Sequence, residues 1–206
     1  MTDTISDALR ALADGGVRRH YARRTRFISE GDDGNAIYII LSGQVKVFTS
    51  DLDGKEFLFG SYGPGTILGE MALDGQPRSA SVTALTAVQC AVVPVEVLRQ
   101  RVTEDPAFAL ELIRTLIQRS RNTTTYTRRL ALDSAYQRLV ALLNELAVPH
   151  DGVRVIPEPL SQQAIGERIG TSRDMVSKLF KELVKGEYLR HENKQITLLR
   201  TLPAKW

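Results

Sequence analysis

One cysteine, Cys90, stands among the 206 residues, so the chain can close no internal disulfide and offers no thiol cluster to a metal. Cys90 lies in the apolar run AVQCAVV, where a small, buried strand residue is expected. No apolar run approaches the roughly 18–20 residues that span a bilayer. The opening MTDTISDALR is too acidic and polar for a secretory signal, so a cytoplasmic protein with no membrane partner is expected. Enzyme signatures are missing as well: there is no phosphate-loop lysine motif, no HExxH, no nucleophile elbow and no paired catalytic histidine. Internal repeats and low-complexity segments are also absent. The expectation is a protein with no catalytic residues and no metal site.

The composition that remains, 43% hydrophobic and 25% charged, is that of a chain folded throughout, as one large domain or two small ones. The net charge of +3 leans weakly towards a polyanionic partner. Its distribution says more, because residues 1–95 carry 9 basic and 11 acidic groups and residues 96–206 carry 18 and 13. The positive excess lies in the C-terminal half.

From about Val17 to Pro94, short alternating or apolar runs (AIYIILSG, QVKVFTSDLDG, KEFLFGSYGPG, SASVTAL, VQCAVVP) are punctuated by Gly-Asp, Asp-Gly and Pro-Gly. This texture predicts an antiparallel β sandwich or β roll. After Pro94 some forty residues pass without glycine, and Pro106 is placed at the first turn of a long helix, where its missing N–H costs nothing. Ala109, Leu112, Leu116, Arg119, Thr123, Tyr126 and Leu130 recur at three- or four-residue steps, a stripe suited to a partner helix or to packing on the β domain. From about Asp133 the pattern gives a helix capped by Asp133 or Ser134, then a loop or short strand over PHDGVRVIPEPLS. Two short helices and a closing hairpin follow.

In LSQQAIGERIGTSRDMVSKLFKELVKGEYL, Ser161 caps a helix that Gly170 ends, and Thr171 opens a second helix with Asp174 completing a capping box. Met175, Val176, Leu179, Phe180 and Leu183 form its core face, leaving Ser172, Arg173, Asp174, Ser177, Lys178 and Lys181 outward. Such a face at a helix N-terminus reaches base edges in a major groove. The following YLRHENKQITLL reads as two strands around a His-Glu-Asn-Lys turn, the wing of a winged helix. Ser161, Gln162, Gln163 and Thr171 complete the predicted DNA-binding set.

The stretch ILGEMALDGQPRSASV sets Glu70 eight positions before Arg78 and Ser79, with glycines around both. An arginine pairs bidentately with a phosphate, a glutamate accepts from a sugar hydroxyl, and N–H groups near Gly69 bind an anion at the start of a short helix. A ribose phosphate satisfies all three. An exposed Glu–Arg pair on a β turn is the alternative reading of the same spacing.

Over about residues 17–199 the chain resembles the cyclic AMP receptor protein and fumarate and nitrate reduction regulator (Crp/Fnr) family of bacterial transcription regulators. The resemblance rests on the cassette GEMALDGQPRSASV, the long helix and the helix-turn-helix in the family's order. It implies an α+β chain: a cyclic-nucleotide-binding, jelly-roll-like β roll over 1–104, a dimerisation helix over 105–132 and a winged helix-turn-helix over 133–206. By this likeness Glu70 takes the ribose 2′-hydroxyl, Arg78 and Ser79 take the cyclic phosphate, and the backbone at Gly69 assists. Thr123 would contact the adenine from its own subunit, Thr124 would reach across from the other, and Arg119 would support Glu70. The implied protein is a homodimer with no prosthetic group and cyclic AMP as effector, which binds an inverted-repeat operator in double-stranded DNA and works with RNA polymerase.

The cassette is shorter than in the best-known member, and the family's Arg-Glu and later Arg of the recognition helix appear as Arg173, Asp174 and Lys178. These departures bear on the operator sequence, since lysine lacks the bidentate fork of arginine. One cysteine is too few for the iron–sulfur branch, and His20, His150 and His191 stand apart from any haem-binding pattern. Cyclic GMP and cyclic di-GMP remain alternative effectors within the family, as does a ligand-independent regulator. A nucleotide-sensing module that acts on a protein partner is the alternative from another class.

Overall fold

The runs AIYIILS and VQCAVVP are apolar at nearly every position, and the fold gives the reason: both become strands covered on two faces. In the computed structural model, residues 5–54, 56–192 and 195–204 are described, and the chain divides into two units, Met1–Ser120 and Arg121–Trp206. In the first unit, helix α1 (Asp7–Asp14) precedes strands β1 (Val17–Tyr21), β2 (Arg26–Ile28), β3 (Ala36–Ser42), β4 (Val45–Ser50), β5 (Glu56–Tyr62) and β6 (Ile67–Leu68). A 3₁₀ turn (Glu70–Asp74), β7 (Ser81–Ala84), β8 (Val88–Pro94) and α2 (Val95–Glu104) follow. Then α3 (Pro106–Leu132) begins.

Two four-stranded antiparallel sheets form, in the orders β1-β8-β3-β6 and β2-β7-β4-β5. Alternate residues of β3 and β8 point to opposite faces. Ile37, Ile39, Ala91 and Val93 pack with Leu9 and Leu12 of α1, Leu98 of α2, and Phe108 and Leu112 of α3. Ile40 and Cys90 join Ile28, Val45, Val82 and Ala84 of the second sheet. Among the described residues the β roll is thus a three-layer arrangement, with helices packed on the β1-β8-β3-β6 side.

Helix α1 is absent from the sequence-based expectation. Ser6 caps it by accepting from the Leu9 N–H at 3.3 Å, and it buries Leu9, Leu12 and Ala13. Pro106 does open α3, and the Asp105 carboxylate accepts from the Ala107 and Phe108 N–H groups at 3.1 and 3.0 Å. The expected stripe on α3 divides between its two readings. Leu112 is buried with Phe108 in the first unit's core, as packing on the β domain requires, whereas Leu116, Thr123 and Leu130 are exposed. Leu110, Ile113 and Ile117 are about half exposed, at 52%, 49% and 49%. Ser120, Thr124, Thr127 and Ala131 carry this exposed line onward at alternating three- and four-residue steps.

In the second unit, α4 (Ala135–Leu146) is capped by Ser134 and not Asp133. The Ser134 hydroxyl accepts from the Gln137 N–H at 3.2 Å, and the Gln137 side chain accepts from the Ser134 N–H at 2.8 Å. Strands β9 (Val148–His150) and β10 (Val153–Ile156) form a hairpin across Asp151 and Gly152, both at positive φ (45° and 80°). Helices α5 (Gln162–Ile169) and α6 (Arg173–Lys185) precede β11 (Leu189–Glu192) and β12 (Gln195–Leu198). The sheet order β11-β12-β10-β9 joins the wing to that hairpin. His191 and Glu192 belong to β11 and not to the expected turn, whose Asn193 and Lys194 lie outside the described residues. The core gathers Leu139, Leu143, Ile165, Val176, Phe180 and Ile196. Among the described residues no helix is long and apolar enough to cross a membrane.

Cys90 is fully buried between the sheets, and burial pushes its thiol from 9.0 up to about 11. The unfolded thiol ionises first as pH rises, so this group's contribution to stability is intact below pH 9 and is lost as pH rises towards about 11. At pH 8 a thiol-specific disulfide reagent is expected to label Cys90 only at the rate of unfolding. Labelling as fast as in denaturant would contradict this burial.

Candidate functional site

Gly69 sits between β6 and the 3₁₀ turn at φ +78°, a left-handed conformation that glycine adopts without strain. Space matters there too, because an added Cβ would lie 2.3 Å from Arg78 Nη1. Arg78 folds into this gap and donates from Nη1 to the Gly69 carbonyl at 3.1 Å and from Nη2 to the Ala36 carbonyl at 2.6 Å. Its guanidinium lies 5.8 Å from the centre of the Tyr38 ring and against Gly34, where a Cβ would come within 2.4 Å of it. The Arg78 main chain is anchored as well: its N–H donates to Asp32 O at 2.9 Å, and its carbonyl accepts from the Gly31 N–H at 2.8 Å. Two of the five guanidinium N–H groups are engaged with carbonyls, so three are available to an anion.

Glu70 opens the 3₁₀ turn with its side chain 11% exposed. Arg119 of α3 answers it from Nη1 to Oε1 at 2.7 Å, while Nη2 donates to the Ile67 carbonyl at 2.7 Å. The Arg119 guanidinium also lies 5.3 Å from the centre of the Tyr62 ring. This bonding leaves Glu70 Oε2 able to accept from a hydroxyl. Exposed Ser79 donates to the Met71 sulfur at 3.1 Å. Hydrogen bonds thus tie Arg78 to Gly69 and Arg119 to Glu70 in the first unit. Thr123 and Thr124 are exposed on α3 in the second unit. Among the described residues no group of His, Cys, Asp and Glu could hold a metal.

The helix-turn-helix is built by local signals. Ser161 caps α5 by accepting from the Ala164 N–H at 3.1 Å, and Gly170 ends it at φ 64°. The Thr171 N–H still donates to Gly166 O at 3.0 Å, so Thr171 belongs to the closing turn of α5 and not to the start of α6. Ser172 takes the cap, accepting from the Met175 N–H at 3.1 Å, and Asp174 lies in the first turn outside any capping box. Gly166 lets the turn close, since a Cβ there would meet Thr171 O at 2.8 Å. The carbonyls ending α5 are satisfied from outside: Tyr126 Oη donates to Arg168 O at 2.9 Å and Arg138 Nε to Ile169 O at 2.7 Å. Burial raises the Tyr126 phenol pKa against the opposing pull of Arg138.

On α6, Arg173, Asp174, Lys178 and Lys181 are exposed as expected, and so are Ser172 at its cap and Ser161 and Gln163 at α5. Gln162, Thr171 and Ser177 are only half exposed, and the Gln163 amide donates to Glu167 at 3.0 Å. Met175, expected in the core, is instead 39% exposed. Val176, Phe180 and Leu183 already fill the buried face, and the 100° step from Val176 carries Met175 off it. The sequence reading missed Arg190, exposed on the wing, and Tyr38 and Tyr62, which flank the two site arginines from β3 and β5. Only pairing distant in sequence brings those rings to the cassette.

Residues 18–105 match the cyclic nucleotide-binding domain family, and residues 137–201 match the Crp-like helix-turn-helix domain family. The CRP-like cAMP-activated global transcriptional regulator of Mycobacterium tuberculosis is 28% identical over 183 residues, 86% of this chain and 82% of that protein. The cAMP-activated global transcriptional regulator CRP of Haemophilus influenzae is 28% identical over 186 residues, with the same coverage of 86% and 82%. Among solved structures, the c-di-GMP responsive global regulator CLP of Xanthomonas campestris superposes with a TM-score of 0.84 at 25% identity, covering 94% of this chain and 99% of that one.

Arg119→Ala leaves the Glu70 carboxylate, 11% exposed, without its ion-pair partner. The expected loss is about 1–3 kcal/mol in denaturant unfolding of the full chain. An unchanged midpoint would mean that water replaces Arg119 without cost.

Proposed function

Because the chain belongs to the Crp/Fnr family of DNA-binding transcription regulators, we propose that it is a homodimer whose operator binding is controlled by a cyclic nucleotide, and that this effector is cyclic AMP. The observation that carries the proposal is the pairing of Glu70 with Arg119 beside an Arg78 held on the Gly69 carbonyl. In this reading Glu70 Oε2 accepts from the ribose 2′-hydroxyl while Arg119 fixes the carboxylate from its other oxygen. Arg78 offers its remaining N–H groups to the cyclic phosphate, joined by the Ser79 hydroxyl and the backbone at Gly69. Carbonyl anchoring favours tight binding, since a guanidinium already held in place loses little freedom when the anion arrives. Thr123 and Thr124 serve the base, one from each protomer.

The second copy would dock along the exposed line Leu110, Ile113, Ile117, Ser120, Thr124, whose alternating three- and four-residue steps are those of a coiled-coil seam. A ligand that binds one arrangement of the dimer better than another shifts the population towards it by its difference in affinity. The working division is an effector domain over 1–104, a dimer helix over 105–132 and a DNA-binding domain over 133–206. Arg173, Asp174 and Lys178 read base edges. Ser161, Gln162, Gln163, Thr171, Ser172, Ser177 and Lys181 serve the surrounding backbone contacts. The site of action is the cytoplasm, and RNA polymerase is the partner at the promoter.

Cyclic di-GMP is the second reading, favoured by the structural likeness to the c-di-GMP responsive regulator of Xanthomonas campestris. Cyclic AMP is preferred because Glu70, Arg78, Ser79, Thr123 and Thr124 occur together, and because the M. tuberculosis and H. influenzae relatives are cAMP-activated.

Calorimetric titration with cyclic AMP, cyclic GMP and cyclic di-GMP is expected to give micromolar-range binding of cyclic AMP that Arg78→Ala abolishes. Binding of cyclic di-GMP alone would replace cyclic AMP as the effector, and binding of none would remove the switch. On DNA, inverted repeats with half-site centres about one helical turn apart are expected to be retarded specifically. A module acting on a protein partner would retard none. Arg173→Ala is expected to lower the ratio of specific to random affinity, by about tenfold or more, whereas Lys181→Ala weakens both alike. Equal losses for Arg173→Ala would rule out a base-reading role.

A further inference from the structure

Two methionines lie among the described residues, and the one in the cassette touches a group that the effector reading depends on. Met71 is the second residue of the 3₁₀ turn, 54% exposed, and its sulfur accepts the Ser79 hydroxyl at 3.1 Å. A thioether is a weak acceptor, so in the reduced protein this hydroxyl can pass to a phosphate oxygen at small cost. We propose that Met71 is an oxidation site through which peroxides weaken effector binding. The inference rests on the reading of Ser79 as a phosphate ligand.

The chemistry needs only hydrogen peroxide as oxidant. The Met71 sulfur attacks one peroxide oxygen as the O–O bond breaks and an S–O bond forms. Sulfur gives up two electrons, and the departing hydroxide takes the proton carried by the transferred oxygen and leaves as water. The product, a sulfoxide, is polar, is a far stronger acceptor than the thioether, and is reversible by sulfoxide reduction. Its oxygen lies within reach of Ser79 Oγ. A hydroxyl has one proton, so once Ser79 donates it to the sulfoxide none remains for the phosphate. The sulfoxide oxygen also brings negative partial charge to the place where the anion must sit.

Competing sulfur is disposed differently. Cys90 is fully buried and its thiol stays protonated, because burial raises it to about 11. Met175 is 39% exposed on α6 in the second unit, whereas the cassette hydroxyl donates to Met71. Among the described residues, exposure, contact with Ser79 and position in the cassette therefore coincide at Met71 alone.

The test titrates the full chain with cyclic AMP before and after graded hydrogen peroxide, while peptide mass spectrometry follows one added oxygen atom at Met71 and at Met175. Affinity is expected to fall about tenfold or more in proportion to oxidised Met71. In Met71→Leu the treated-to-untreated ratio is expected to stay at one, whatever its starting affinity, and Met175→Leu should lose affinity as the parent does. Full oxidation of Met71 with unchanged affinity, resistance of Met71 to peroxide, or a loss that persists in Met71→Leu would each overturn the proposal. Absence of cyclic AMP binding before any peroxide is added would instead sink the reading of Ser79 and the inference with it.

Discussion

The Arg119–Glu70 ion pair sets the rotation of a helix. A carboxylate that is largely withdrawn from water needs a partner, and the partner comes from α3. Leu112 is seven residues earlier, so Arg119 lies within roughly 20° of the same helix face. With Phe108 and Leu112 in the core and Arg119 on the cassette, that face is fully committed. Leu110, Ile113 and Ile117 are among the residues left outward, roughly a quarter to nearly half a turn away around the axis. One pair thus links the Glu70 turn to the choice of which face of the helix remains available.

Arginine placement through the main chain is the second theme. Arg78 and Arg119 each lean on a backbone carbonyl of the Ile67–Gly69 stretch and lie near a tyrosine ring. Glycines at 34 and 69 make the room, since a methyl group at either would collide with Arg78. Cassette geometry therefore depends as much on missing side chains as on charged ones.

Much of this was legible in the sequence because its signals are local. The β runs, the Ser161 cap, the Gly170 stop, Pro106 at the head of α3 and the nearness of Arg78 to the Gly69–Glu70 turn are each written within a few residues. What escaped depends on competition between distant surfaces. Which residues of α3 turn inward is not legible locally, because both Leu112 and Ile113 are apolar and the choice is made by the β roll surface together with the Arg119–Glu70 pair. The cap of α6 went to Ser172 because Gly166 draws the Thr171 N–H back into the preceding turn. Helix α1 is only eight residues long, too short to be marked by its Ala-Leu pattern alone, and it is fixed by burial of Leu9 and Leu12 against sheet β1-β8-β3-β6.

The outward line of α3 changes character along its length, with Leu110, Ile113 and Ile117 first and Ser120, Thr124 and Thr127 after them. Two such helices side by side would adhere unevenly, because large aliphatic side chains interlock whereas small hydroxylic ones give up little on meeting water. The bending stiffness of the pair would then be graded, high at the end that begins at Pro106 and low towards Leu132. Small forces would be absorbed as splaying of the softer end, so a single added contact there would move the far ends more than the same contact placed near Leu110.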